Sequence, residues 1–236
     1  MQVNTEPFRS FSDVFYLSYC ITTPQVWELC YNTFMNVCNM IDVLWRLRER
    51  LEPVEQAELL SDAIEGQHPN ARRASVLLSL FEQDSEPYLA FIRRATTLRA
   101  HSGEIAFPGG GAEAIDNSLV TTALREAQEE IGLSPARVEV LGILPPVFTV
   151  VSNYLIVPVV GFLPRGPGML VLQTSEVTEA ILLPLSGLAD PTIVHTEEWT
   201  RGSITRTIYF YDYGAYRIWG ATARILNALL NLLLAV

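Results

Sequence analysis

Apolar and polar residues along this 236-residue chain follow different periods in different segments. In IDVLWRLRERL, which begins at Ile41, apolar residues at 41, 44, 47 and 51 have the spacing of one buried helix face. Pro53 ends this helix, because proline has no amide hydrogen and its ring clashes with the preceding turn. The polar stretch EGQHPNARR (65–73) that follows indicates a linker. The pattern therefore predicts a helix and linker over residues 41–69.

Beyond the linker, short apolar segments rich in β-branched residues predict strands. ASVLLSLFE (74–82) and PYLAFIRRA (87–95) flank a polar QDSE and predict a hairpin. Further strands are predicted for VEVLGILPPVFTV (138–150), NYLIVPVVGFLP (153–164) and RTIYFYDYGAYRIWG (206–220). The apolar tail ILNALLNLLLAV (225–236) is too short for a membrane span, which needs about 20 residues, and predicts a packed helix. Strands and helices that alternate in this way predict one α/β domain with a mixed sheet.

Residues 1–40 show no clear period, and we treat them as an N-terminal extension of unknown role. Met40 stands directly before the predicted helix, so a chain that begins there is expected to fold and to function as the full chain does. The alternative is that the residues before the helix form an ordinary N-terminal subdomain. The cysteines are odd in number and form no disulfide or zinc pattern, which favours a reducing cytoplasm: Cys20, Cys30 and Cys38. No secretory signal pattern opens the chain.

Composition excludes several classes of protein. The net charge of −10 and the pI near 4.8 argue against a nucleic-acid binder, which usually presents a basic surface. All sixteen basic residues are arginine, which excludes Schiff-base chemistry and a P-loop, since both need a lysine. We also expect no membrane partner. Any bound anion must then be held by arginine, by backbone amides or by a metal ion.

One segment, GGGAEAIDNSLVTTALREAQEEIGL (109–133), concentrates the candidate chemistry. Asp116, Asn117 or Ser118 can cap a helix that ends before Gly132. Its apolar stripe is predicted to be Val120, Ala123, Leu124, Ala127 and Ile131. The acidic residues of the helix should project from the opposite face: Glu126, Glu129 and Glu130. Converging carboxylates suit Mg²⁺ or Mn²⁺, and a carbonyl of the preceding glycine run, at Gly110, can add a ligand.

This segment resembles the box of the Nudix hydrolase superfamily, GX5EX7REUXEEXGU, where U is aliphatic. REAQEEIGL (125–133) matches its second half, with Ala127 at the first U. The box has a glutamate eight residues before the arginine, where this chain has Asn117. In Nudix proteins that glutamate mostly pairs with the arginine and braces the loop, a task that Asp116 could perform for Arg125. The other loop acid, Glu113, is expected to shape the loop.

The stretch RRATTLRAHSGEIAFPGG (93–110) resembles the signature that precedes the box in the coenzyme A pyrophosphatase branch. Later segments, SEVTEAILLPL (175–185) among them, also look like that branch, and the likeness covers the chain from about residue 41 onward. The resemblance implies a Nudix-type α/β/α sandwich with a mixed sheet over residues 70–236. It also implies a pyrophosphohydrolase that cleaves coenzyme A or its derivatives to 3′,5′-ADP and 4′-phosphopantetheine.

The resemblance and the residue types together predict roles for named side chains. Mg²⁺ or Mn²⁺ would be bound by Glu126, Glu129, Glu130 and Gly110, with Arg125 counted among the catalytic residues. The phosphates of a coenzyme A-like nucleotide would contact Arg94, Arg99 and His101, because arginine forks suit phosphate oxygens. A general base is expected among the helix glutamates, with Glu176 or Glu179 as second choices.

Other readings remain open. The same scaffold could hydrolyse ADP-ribose, NADH or a damaged nucleotide, or could be an inactive module that binds a nucleotide or a protein. The oligomeric state is open as well, and a homodimer is one option.

Overall fold

The computed structural model describes residues 39–66, 68, 70–96, 102–201 and 204–235. Its helices are α1 (Met40–Arg50), α2 (Ala57–Glu65), α3 (Leu119–Ile131), α4 (Leu185–Leu188) and α5 (Gly220–Leu234). Its strands are β1 (Arg72–Gln83), β2 (Glu86–Arg94), β3 (Ile105–Ala106), β4 (Gly109–Gly111), β5 (Glu139–Ile143), β6 (Val147–Thr149), β7 (Tyr154–Phe162), β8 (Val177–Pro184), β9 (Val194–Arg201), β10 (Ile204–Tyr213) and β11 (Tyr216–Trp219).

Strand β1 lies inside a mixed sheet. It pairs in parallel with β7, from Arg72 opposite Tyr154 to Leu80 opposite Phe162, and antiparallel with β2 and β4. The strand order is β3-β2-β1-β7-β5, with β8 on β2 and β6 on β7. The predicted hairpin is confirmed: it turns at Asp84 and Ser85, both with positive φ, as a tight two-residue turn requires.

Alternate residues of β1 pack into two cores, one on each face of the sheet. Leu77 and Phe81 join a cluster with α2 and α3, whereas Leu78 and Leu80 join a cluster with α1 and α5. This arrangement is the α/β/α sandwich that the resemblance implied. The apolar tail is a packed helix as predicted, because most leucines of α5 are buried.

The first helix differs from its prediction in the face that it buries. Met40, Val43 and Leu47 are buried, whereas Ile41 is 78% exposed, so the predicted stripe was displaced by part of a turn. Contacts with a distant part of the chain fix this orientation. Arg46 donates to the carbonyl of Leu233 at 3.1 Å, and Arg50 and Arg46 both donate to the carbonyl of Ala235, which satisfies carbonyls at the end of α5.

A second, three-stranded sheet has the order β11-β10-β9 and was only partly predicted. The strand segment predicted at 206–220 forms β10 and β11, which pair as a hairpin. Strand β9 was missed, because its HTEEWT core carries few apolar residues. Across the described ranges, no helix combines the length and the apolar character needed to cross a bilayer. The three cysteines and the predicted extension lie outside the described residues, apart from Asn39 and Met40.

The packing of α1 yields a prediction about where the folded unit begins. A truncated chain that starts at Asn39 keeps the side chain that caps α1 and is expected to unfold at the temperature of the full chain. A chain that starts at Pro53 loses the buried Val43 and Leu47 and should be insoluble or melt far lower, since each lost core residue costs about 2–5 kcal/mol. Thermal unfolding followed by circular dichroism measures both. If the chain that starts at Asn39 failed to fold, residues 1–38 would be part of the core.

Candidate active site

Helix α3 begins and ends as its sequence predicts. Of the three candidate caps, Ser118 is the one used: its side chain accepts the amide of Thr121, an otherwise unpaired donor of the first turn. The helix ends at Gly132, whose φ of +70° is the left-handed conformation that glycine adopts without strain. Asn117, at the position of the family's glutamate, does not cap the helix.

Arg125 braces the loop before the helix. Its guanidinium donates to both carboxylate oxygens of Asp116, at 2.9 and 3.0 Å, and to the carbonyl of Gly111 at 3.1 Å. Asp116 also accepts the amide of Glu113 and the hydroxyl of Thr122. Arg125, more than these other donors, holds the pKa of the buried Asp116 carboxyl at about 2. The pairing of Asp116 with Arg125 that the sequence suggested is therefore present, and it ties the loop to α3.

Glu126 lies against the glycine strand β4. A side-chain carbon placed on Gly110 would approach the Glu126 carboxyl to 2.5 Å, so this close packing requires glycine. The side chain of Glu126 is 14% exposed and forms a 3.0 Å ion pair with Arg125. Burial raises its pKa in spite of the arginine, and the charges of Glu129 and Glu176 add to the increase. Gly110 itself is paired in the sheet opposite Ser75, and its role as a carbonyl ligand stays a prediction.

Glu130 differs most from the sequence-based expectation. Instead of lying on the open face of α3, its side chain is 2% exposed and accepts the amide of Gly109 at 2.9 Å. Arg94 of strand β2 approaches it at 3.5 Å. Burial raises the pKa of Glu130 to about 7, and the charges of Glu126 and Glu176 add to this increase. The expectation that all three carboxylates oppose the buried stripe is therefore wrong for Glu130.

Glu129, the remaining glutamate of the helix, has a more open position. Its side chain is 59% exposed and pairs with Arg125 one turn earlier, at 2.9 Å. Arg125 thus holds both Glu126 and Glu129, through different terminal nitrogens of its guanidinium. The helix therefore presents two carboxylates with restricted access to water and one that is exposed to solvent beside Arg125.

Of the predicted substrate residues, Arg94 is described, whereas Arg99 and His101 lie outside the described residues. Arg94 is 25% exposed and reaches Glu130 through one terminal nitrogen. Its Nε is buried and has no hydrogen-bond partner within the described part of the chain. Arg94 therefore lies beside the carboxylates of α3 and has a donor to spare.

The two second-choice bases lie in different surroundings. Glu176 is exposed, and its charge acts on both Glu126 and Glu130. Glu179 accepts a 2.9 Å hydrogen bond from Arg93 and a 2.8 Å bond from the hydroxyl of Tyr216. Arg93 and, to a smaller extent, Tyr216 lower the pKa of Glu179. Sequence reasoning missed Tyr216, because no local pattern links it to a carboxylate 37 residues away.

The described residues do not present a finished metal site, since no three acidic, histidine or cysteine side chains among them are grouped closely enough. The residues nevertheless fit a divalent cation. Glu126 is largely buried and Glu130 is buried, and burial raises the pKa of both carboxyls, as expected where a charge is not fully balanced. Carboxylate oxygens are also the ligands that Mg²⁺ and Mn²⁺ prefer.

Comparisons with known proteins identify the family of the chain. Residues 71–201 match the family model of the NUDIX domain. A protein of Photorhabdus laumondii, described as an uncharacterized Nudix hydrolase NudL, is 40% identical over 160 residues, which is 68% of this chain and 84% of that protein. The NudL of Citrobacter koseri is 36% identical over 172 residues, covering 73% of this chain and 88% of that protein.

Two solved structures show more distant similarity. A MutT/nudix family protein from Enterococcus faecalis aligns with 75% of this chain and 67% of its own, at 14% identity and a TM-score of 0.45. The NUDIX domain of Shewanella oneidensis NrtR, solved with ADP ribose, aligns with 56% of this chain and 84% of its own, at 19% identity and a TM-score of 0.41.

The chain belongs to the Nudix family, as the domain match and the NudL relatives together show. Its class is thus that of the Nudix hydrolases, enzymes that act on nucleoside diphosphate derivatives and use divalent metal ions.

The burial of Glu130 predicts that this site weakens the fold. Glu130→Gln should raise the free energy of unfolding at pH 8, without added metal, by as much as about 3 kcal/mol. Burial raises the pKa of Glu130 in the folded protein from 4.5 to about 7. Below about pH 4.5 the carboxyl is neutral in both states and the folded protein keeps its full stability. As the pH rises through 7 the buried group becomes charged and that stability is lost. Urea unfolding at pH 5 and pH 8 measures the difference.

Glu129→Gln is the matched control for that substitution, since its side chain is 59% exposed, and it should unfold like the wild type at both pH values. Equal stability of Glu130→Gln and wild type at pH 8 would contradict the burial of a charge.

In the presence of Mg²⁺, the same Glu130→Gln variant should lose hydrolase activity by orders of magnitude relative to the wild type.

Proposed function

We propose that this enzyme hydrolyses the diphosphate bond of coenzyme A or its derivatives, releasing 3′,5′-ADP and 4′-phosphopantetheine. The observation that carries the proposal is that Arg94 lies 3.5 Å from Glu130. Arg94 belongs to the segment that resembles the coenzyme A branch, and Glu130 belongs to α3, the helix with the Nudix-like sequence. Two separate sequence signatures thus meet at one point. A cation for the phosphate and carboxylates for a metal ion lie side by side there.

The chemistry follows from the charges that meet at this point. Glu126, Glu129 and Glu130, with a carbonyl from the glycine strand, would hold Mg²⁺ or Mn²⁺. When bound, the ion would neutralise the diphosphate and lower the pKa of water. Arg94 would contact a phosphate oxygen through its partly exposed guanidinium, since a guanidinium suits anionic oxygens. Arg125 would keep Glu126 and Glu129 oriented through different terminal nitrogens.

The position of Glu176 favours it over Glu179 as the general base. A base must be able to take a proton, and the carboxylate of Glu179 already accepts bonds from Arg93 and Tyr216 that favour its charged form. Glu176 is exposed and close enough to Glu126 and Glu130 for its charge to raise both pKa values. A helix glutamate, the first choice from the sequence, is the other candidate base.

Exchanging each candidate base tests this assignment. Glu176→Gln is expected to lower kcat by about 100-fold or more, because a positioned base contributes about 10²–10⁴-fold, and to leave KM nearly unchanged. The matched variant Glu179→Gln should keep most of kcat and lose thermal stability, since it weakens the links to Arg93 and Tyr216. Steady-state kinetics with Mg²⁺ measure kcat and KM of both variants. The reverse ranking of the two kcat values would assign the base to Glu179.

Substrate choice is tested with coenzyme A, dephospho-coenzyme A, ADP-ribose and NADH, with products identified by mass spectrometry. We expect coenzyme A to have the highest kcat/KM. Arg94→Gln should lower kcat/KM for coenzyme A and its dephospho form alike, because Arg94 lies beside Glu130. Arg99→Gln should remove the preference between them, since one charge-assisted bond, worth about 1.5–3 kcal/mol, corresponds to roughly ten- to a hundredfold.

Faster cleavage of ADP-ribose or NADH by the wild type would contradict the coenzyme A assignment and leave the Nudix chemistry in place. A wild type that cleaves none of the four with Mg²⁺ or Mn²⁺ would favour the inactive binding module. Oligomeric state in solution, with a homodimer as one candidate, is measured in the same preparations by light scattering.

A further inference from the structure

We infer that Glu58, in helix α2, is a positioning residue for the active site: it fixes the start of α3 and, through that helix, the places of Glu126 and Glu130. This inference rests on the proposed function for its effect on turnover. Its effect on the start of α3 does not, and can be measured by itself. Helix α2 (57–65) lies before the segment that matches the NUDIX domain model, 71–201.

Glu58 forms two contacts, one with each of its carboxylate oxygens. Oε1 accepts the backbone amide of Leu119, the first residue of α3, at 2.7 Å. Oε2 accepts a bond from Nη1 of Arg73, in strand β1, at 3.3 Å. The amide of Leu119 is one of the donors at a helix start that no helix carbonyl can satisfy, and a carboxylate there also interacts favourably with the helix dipole.

Arg73 fixes Glu58 in turn. Its guanidinium pairs with Glu65 at 2.6 Å and with Asp62, both on α2, so three acids of one helix surround one arginine. The carbonyl of Arg73 accepts the amide of Ala112, directly after the glycine strand. Arg73 therefore contacts α2 through its side chain and the end of β4 through its backbone.

These contacts link the start of α3 to the end of the glycine strand β4 through Glu58 and Arg73. Glu126 follows Leu119 by seven residues, which is about 10 Å along the helix. The carboxyl of Glu126 packs so closely on Gly110 that a single side-chain carbon there would approach it to 2.5 Å. The carboxyl of Glu126 therefore lies close to the backbone of Gly110. The hydrogen bond from Leu119 to Glu58 fixes the start of α3 from outside the segment that matches the NUDIX domain model.

Glu58→Ala tests the inference, with Asp62→Ala as the matched control. Both variants remove one acid of α2 from Arg73, so each loses one ion pair of that cluster. Only Glu58→Ala frees the amide of Leu119. Hydrogen exchange of that amide should therefore accelerate at least tenfold in Glu58→Ala and stay near the wild-type rate in Asp62→Ala.

Binding of Mn²⁺ alone, measured by calorimetry, and kcat/KM with Mn²⁺ give the second readout. We expect both to fall by about tenfold in Glu58→Ala, the lower end of the effect of residues that support metal ligands. Glu58→Gln, whose amide oxygen can still accept from Leu119, should restore both. Asp62→Ala should match the wild type.

Each outcome has one meaning. Equal losses of Mn²⁺ affinity in Glu58→Ala and Asp62→Ala would overturn the inference and reduce Glu58 to a stabilising ion pair. Unchanged exchange at Leu119 would overturn it as well. A wild type without hydrolase activity would instead contradict the proposed function, while exchange at Leu119 would still decide whether Glu58 fixes the helix.

Discussion

The close packing of helix α3 on the glycine strand β4 is the constraint on which the rest of the site depends. With any side chain at Gly110, the carboxyl of Glu126 could not lie where it does. The same approach lets the amide of Gly109 reach Glu130. Glycine is therefore needed here for the absence of a side chain, which allows backbone and carboxylates to meet.

This packing places like charges where they are hard to stabilise. Two carboxylates of one helix are withdrawn from water, and the pKa of each rises as a result. Arg125 and Arg94 offset part of the repulsion without removing it, and a divalent cation would offset more. The unfavourable charges are thus the feature that a metal-dependent hydrolase needs, in keeping with the trade between stability and function at active sites.

Much of this arrangement could be predicted from the sequence, because it depends on local patterns. The hairpin of β1 and β2, the span of α3, its glycine end and the pairing of Asp116 with Arg125 all follow from residues close together in the chain. The burial of Glu130 could not be predicted, because periodicity defines a helix face without defining what covers it. The contact of Glu58 with Leu119 spans 61 residues, and no local signal reports such a pairing. The stripe of α1 was misjudged for the same reason, since arginine bonds to the far end of the chain orient that helix.

Those arginine bonds have a consequence for how the chain is made. Arg46 donates to the carbonyl of a residue 187 positions later, so α1 leaves the ribosome long before its partner helix exists. At about 5–20 residues per second, roughly ten to forty seconds separate the two. During that time the apolar face of Val43 and Leu47 lacks α5, one of the elements in its core cluster, and α1 cannot complete its native contacts. Because such distant contacts form slowly, α5 completes the packing of α1 late, and the nascent chain is most exposed to aggregation or to chaperones before α5 emerges.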